Sequence, residues 1–547
     1  MRTRAEDRRS ARYRGRMASR RGSGTALCSL AAFCAALLAP GPAFARHDVL
    51  RYARPDEPVS LNPLYLDGSD FTMVSELVFE PLLRIGPGLK PVPGLAVEDP
   101  STDNGGISAD GTHITYRLRH DTRWSDGSPV TSDDVKFTLS ALRNPRNDVT
   151  IRGFFGEIAG VRTPDRWTVV IDLKHPDPAT LAVTRLLVPL PAHLLRGYAD
   201  LNRVPFDALP VGNGPYRVVA WRRGDVIALA ANPRYWRGPP AVPRFEIRIV
   251  PSSGTALLQL RTGEADLADV PASQVANLPA SGLVRSVAAS LGWMQLTFNL
   301  DNPALADRDV RRALTLAVDR DTLAREVGHG LFQTGRVLLP MFQWALDPAA
   351  APPRFDPAEA ARLLDRRGWK IGSDGLRHKG SRTLSFTMIF AAGGNGVLPA
   401  GVAADLARVN VHVDEKAVQD GLLYDTAAAG GILKGGKFDL ALIGLQTNPD
   451  PDLGWLIACD QRSPNGYNYA HYCNPRVDAD LARARSTFDR AARIRALSEV
   501  QRRLLVDLPF DPLFRVDDMW ANAPWIRGIA PSPYDPFWNV YAWTAAP

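Results

Sequence analysis

The chain has 547 residues, enough for two or three domains with sizeable cores, and its 45% hydrophobic and 22% charged content is that of an ordinary globular protein. Its formal charge of +7 invites a nucleic-acid reading, but residues 1–45 hold nine Arg against Glu6 and Asp7, an excess equal to that of the whole chain. Residues 46–547 are therefore close to neutral, and the body carries no bias toward polyanions.

The leader has an Arg-rich start up to Arg21, then a small apolar stretch from Ala26 to Ala39, Pro40-Gly41-Pro42, and the A-x-A pattern Ala43-Phe44-Ala45. This is the layout of a cleaved signal peptide over 1–45, with Met17 an alternative start, and its apolar core is short for a membrane span. Ser19-Arg20-Arg21 lacks the hydrophobic continuation of a twin-arginine signal, so Sec export is expected. Neither Cys28 nor Cys34 follows a lipobox, which points to an exported, periplasmic protein without a lipid anchor. Cleavage leaves Cys459 and Cys473, read as one disulfide in an oxidising compartment, or else as two buried thiols.

In the body, Val49-Leu-Arg-Tyr begins a strand. Residues 71–83 carry apolar side chains at helical spacing and predict an amphipathic helix. His113 to Arg119 alternates as a strand. After the Asp126-Gly127 turn, Thr131 or Ser132 caps a helix whose first turn holds Asp133 and Asp134, where acidic side chains serve the helix dipole rather than catalysis. Trp167 to Leu173 is a further strand.

Residues 213–270 combine a hairpin around Gly224-Asp225, a rigid turn holding Tyr235-Trp236 between Asn232-Pro233 and Gly238-Pro239-Pro240, and an alternating strand from Phe245. Ser252-Ser253 starts a helix that Gly263 stops. Trp293 to Asn299 is a strand, followed by a helix through Asp309–Arg320. A Pro-initiated helix after Asp356 ends at Gly368. Leu384 to Phe390 is followed by a glycine loop at 393–396 that matches neither phosphate-binding glycine pattern. Phe438 to Ile443 delivers the chain to Gln446-Thr447-Asn448-Pro449-Asp450-Pro451-Asp452, and Ile494, Leu497, Val500 and Leu504 form a helix stripe.

These motifs, in this order, resemble the family 5 extracellular solute-binding proteins, the dipeptide- and oligopeptide-binding proteins of ABC importers. The resemblance rests on Gly214-Pro215-Tyr216, Trp221, Gly224, Asn232, Tyr235-Trp236, Gly238, Pro240 and Gly263-Glu264 with Asp266, on the Asp126-Gly127 segment, and on Asp309 to Arg320. It covers nearly all of residues 48–547. It implies an α/β, two-lobed periplasmic-binding-protein fold with mixed sheets, a hinge between the lobes and an extra subdomain in lobe I. Lobe I is expected from 46–70, 211–300 and 513–547, the accessory subdomain from 71–210, and lobe II from 301–512.

The resemblance also implies a function. A monomer closes on a small, peptide-like solute and docks on an ABC permease with its ATPase subunits, meeting the membrane only there and using no cofactor, metal or nucleic acid. Family members pair the peptide's ammonium with an Asp before a DPD-type turn; aligned on Asp450-Pro451-Asp452, that position is Thr447. Thr cannot neutralise an ammonium, so either Asp450 or Asp452 substitutes or the solute presents no free amine there. Expected ligand contacts are Gln446, Thr447, Asn448 and Asp450, with Ser69, Trp293, Asn299 and Tyr469 behind them. An oligosaccharide, metal chelate or opine-like ligand is the alternative, as is a sensor role. An exported hydrolase is disfavoured, since no G-x-S-x-G, H-E-x-x-H or C-x-x-C occurs.

Overall fold

The structure, a computed structural model, describes residues 47–66, 68–335, 342, 344–392, 396–425, 427, 430–447, 450–534 and 536–546. The expected signal peptide, Asn448 and most of the 393–396 glycine loop lie outside the described residues. Strand Val49–Arg54 puts Leu50 and Tyr52 on one buried face and pairs in parallel with Arg244–Ile249 on one side and Leu267–Asp269 on the other. Around it forms a seven-stranded sheet in the order Val284–Ala288, Asp518–Asn522, Leu267–Asp269, Val49–Arg54, Arg244–Ile249, Val226–Ala231, Tyr216–Arg222.

Local chemistry explains several of these elements. Gly224 turns the hairpin Tyr216–Arg222/Val226–Ala231 with φ 68°, a conformation costly for side chains with a Cβ. Ser252 caps helix Ser253–Thr262 by accepting a hydrogen bond from Thr255 N at 3.1 Å, and Gly263 ends it at φ 79°. The helix expected over 71–83 instead spans Gly68–Val78, and Leu83–Ile85 is a short strand. Pro81, which donates no N–H and disfavours helical backbone before it, separates the two.

A second sheet runs Phe332–Gln333, Phe510–Val516, Gly292–Phe298, Leu440–Gln446, Ser385–Ala391, His412–Val418. Gly292–Phe298 is antiparallel to both its neighbours, so it belongs to this sheet throughout. The chain thus leaves the first sheet at 289–291, ahead of the boundary expected at 300, and returns at Asp517 rather than at 513, because Phe510–Val516 also pairs here. A third, three-stranded sheet, His113–Arg117, Thr168–Leu173, Ile158–Asp165, packs on helix Ser132–Arg143. Asp134 of that helix accepts from Thr131 N at 2.8 Å and from Ala192 N at 2.9 Å, the structural role expected of it.

Cys459 and Cys473 form a disulfide. Closing a loop of this length contributes about 3 kcal/mol through unfolded-state entropy.

Burial raises the carboxyls of Glu76 and Asp511. Glu76 faces Arg84, which also binds Glu80 through Nε at 3.1 Å and Nη2 at 2.7 Å, while Tyr235 Oη donates to Glu80 at 2.7 Å. One guanidinium opposing two carboxylates leaves an excess negative charge, and burial pushes Glu76 up to about 7. Asp511, bound by Arg320 Nη1 at 2.9 and 3.0 Å, is pushed up by burial to about 6.

Both raised values mean that the folded state holds protons the unfolded chain releases near pH 4. Their contribution to stability is therefore greatest at low pH and is lost as pH rises through 6–7. Thermal midpoints are expected to fall from pH 5 to pH 8, and Glu76→Gln should flatten that slope. A midpoint that rises across this window contradicts the assignment.

Candidate functional site

A cavity of about 260 Å³ opens between the two sheets' domains. Its near wall starts at Pro63, Leu64 and Leu66, in a turn held by Asn62, whose Oδ1 accepts from Leu64 N at 3.1 Å and whose Nδ2 donates to Asp207 at 3.0 Å. Helix Gly68–Val78 adds Phe71 and Thr72. The deep wall belongs to the three-stranded subdomain: Thr138 and Leu142 on helix Ser132–Arg143, Ile151 and Phe154 on the 3-10 turn Thr150–Phe155, and Val183 on helix Pro178–Arg185. Gln446 and Thr447, at the end of strand Leu440–Gln446, close it from the second sheet, with Tyr534 from the C-terminal segment. Parallel strands commonly present ligands at such carboxyl ends. Among the described lining residues none is charged.

The turn after Thr447 is built from ion pairs. Asp450 is buried and accepts from Arg493 Nη2 at 2.7 and 2.8 Å; burial pushes its carboxyl above the ordinary value even so. Asp452 accepts from Arg485 Nε at 2.7 Å, and its other oxygen accepts from Gly454 N at 2.9 Å. A Cβ at Gly454 would overlap Arg485. Thr447 is buried, and its N–H donates to Leu291 O at 3.3 Å, which ties the turn to the crossing segment.

The sequence-predicted residues divide accordingly. Gln446 and Thr447 line the cavity; Asn448 is outside the described residues, and Ser69 sits in the first turn of the helix that carries Phe71. Asp450, Trp293, Asn299 and Tyr469 do not line it, and the expectation that they face a solute gives way to packing. Trp293 lies in a core with Leu291, Leu456 and Ile457, its Nε1 donating to Gln295 at 2.9 Å. Asn299 Nδ2 donates to Phe438 O at 2.8 Å, and Tyr469 packs with Ile389 and Leu433. The subdomain residues Leu142, Ile151, Phe154 and Val183 were missed. The available signal was Ile151, Phe154 and Phe155, whose i, i+3, i+4 spacing puts three apolar side chains on one side of a helical turn.

Two sheets joined by two short crossings, with a cavity walled from both sides, define a two-lobed solute-binding protein. The chain matches the family described as bacterial extracellular solute-binding proteins, family 5 Middle, over residues 90–466, and it belongs to that family. Protein XP55 of Streptomyces lividans is 29% identical over 472 residues, 85% of this chain and 83% of its own. Among solved structures, NikZ from Campylobacter jejuni in complex with Ni(L-His) superposes with TM-score 0.79 at 27% identity, covering 91% of this chain and 99% of that one. The oligopeptide-binding protein AppA from Bacillus subtilis, in complex with a nonapeptide, gives 0.77 at 23%, with coverage of 91% and 99%.

Proposed function

We propose that this chain is the exported, periplasmic capture subunit of an ABC importer, acting by binding rather than catalysis. A monomer closes its lobes on a peptide-like solute and presents the closed form to a permease served by ATPase subunits. On this reading lobe I comprises 47–70, 211–288 and 518–546, the accessory subdomain 71–210, and lobe II 292–516, with the signal peptide removed after Ala45.

One observation carries the ligand assignment. Both carboxylates able to replace the missing Asp at Thr447 are already held, Asp450 by Arg493 and Asp452 by Arg485. Gln446 and Thr447 therefore offer the solute neutral hydrogen bonds, and the solute is peptide-like without an ammonium at this position. Family membership and the resemblance to peptide-bound AppA support the peptide class.

Thermal melts of the full chain against di- and tripeptides with free or acetylated amino termini, oligosaccharides and metal chelates test this. A ligand at 100 times its Kd adds about 2.7 kcal/mol to the native state. Acetylated peptides are expected to raise the midpoint at least as much as free ones. Shifts confined to free-amine peptides would overturn the Thr447 assignment, and shifts confined to sugars or chelates would overturn the peptide class.

A further inference from the structure

We infer that the cavity takes an apolar substituent of roughly ten carbons, carried on an amine-blocked peptide-like solute, with Phe154 at its mouth and Leu142 on its floor as specificity-determining residues. The inference rests on the capture role proposed above and goes on to name the chemical class of solute.

The floor offers no hydrogen-bonding site. Leu142 and Leu190 are buried apolar side chains, and the one hydroxyl beside them is already used: Thr138 Oγ1 donates to Asp134 O at 2.7 Å and accepts from Leu190 N at 2.7 Å. A polar or charged group placed there would lose its water and gain nothing in return. At the mouth, Phe154 is 38% exposed, a large aromatic left facing the opening with Ile151 and Val183 partly buried beside it. An occupant that covered these side chains would bury hydrocarbon on both partners. Size sets the length, since an apolar cavity of about 150 Å³ accommodates benzene. The 260 Å³ here suits a group nearly twice as large. Polar side chains beyond Thr138 enter the lining from other elements, Thr72, Gln446, Thr447 and Tyr534, and the amide that joins such a substituent to a peptide would meet Gln446 and Thr447.

The probes are alanyl-alanine amides carrying acetyl, butanoyl, hexanoyl, octanoyl or dodecanoyl groups on the amino terminus, a phenylacetyl analogue, and the free amine. Binding to the full chain is read by calorimetry. Affinity is expected to rise about fourfold per methylene, up to roughly eight to ten carbons, and then to level off. Leu142→Trp, which fills the floor, should erase the chain-length dependence, so that the octanoyl compound binds no more tightly than the acetyl one. Phe154→Ala, at an exposed position with little folding risk, should weaken octanoyl binding by about tenfold. Tight phenylacetyl binding with a flat alkyl series would restrict the occupant to aromatic side chains and overturn the acyl length rule. Micromolar binding of the free amine with no chain-length dependence would overturn this inference and leave the capture role intact. If neither the free nor the blocked peptides bind, both fall. A chain-length dependence that survives both substitutions would place the substituent elsewhere and overturn the cavity assignment.

Discussion

Replacing Arg493 with methionine is expected to cost about 3–5 kcal/mol of unfolding free energy at pH 8, the range for removing one member of a buried ion pair. The guanidinium is mostly buried, binds both oxygens of Asp450, and also sits 5.4 Å from the centre of the Trp344 ring. Methionine fills much of the volume but leaves Asp450 as an uncompensated carboxylate. Its pKa, already raised by burial, would rise further. Because the folded state then holds a proton that the unfolded chain gives up near pH 4, the loss should shrink at pH 5. Urea unfolding followed by Trp fluorescence at the two pH values measures this. Adding Asp450→Asn should recover most of the pH-dependent part. A loss below about 1 kcal/mol at both pH values would mean that the pair is effectively solvated. Since this pair holds the turn behind Thr447, the variant should also bind blocked peptides more weakly than its stability loss alone explains.

The second large effect is expected at Arg84. Arg84→Met removes the cation facing both Glu76 and Glu80, in a site where the guanidinium is fully buried and also donates to Trp538 O at 2.9 Å. A loss of about 3–5 kcal/mol at pH 8 is expected, easing at pH 5 as Glu76 takes up a proton. Glu76→Gln in the otherwise unchanged protein should behave in the opposite way. It removes the excess negative charge and should be neutral or stabilising at pH 8, whereas Glu80→Gln should be destabilising because Glu80 also accepts from Tyr235. If the two Gln variants behaved alike, the unequal roles assigned to these carboxyls would be wrong.

The contrast between what could be read from the residues and what could not follows sequence distance. The hairpin at Gly224, the capped helix from Ser253 to Thr262 and the helix after Thr131 rest on turn and cap chemistry within a few residues, and they were legible. Gln446 and Thr447, singled out by aligning the Asp-Pro-Asp turn with the resembled family, line the cavity. Trp293 and Tyr469 were not legible, because an aromatic on a strand or loop reads the same whether it faces a cleft or a core, and here the core has it. Asp450 and Asp452 were candidate ammonium partners in the sequence, and only the fold brings in Arg493 and Arg485, 43 and 33 residues away, to occupy them. The subdomain wall of the cavity was hidden for a related reason. Leu142 and Val183 are ordinary helix-stripe residues until two helices and a 3-10 turn converge without filling the space between them.

The two crossings have a mechanical consequence. The first is the three residues 289–291 and the second is Asp517 alone, and the strands they join are paired on either side, Val284–Ala288 with Asp518–Asn522 and, with one register shift between Met294 and Gln295, Gly292–Phe298 with Phe510–Val516. A body held to another by two short, stiff straps resists twisting and sliding but still swings about the line through both attachments. Opening then reduces to one angle. A single pair of labels, one on each lobe, would track the whole motion, and solutes of different length would register as different values of one distance rather than as different shapes.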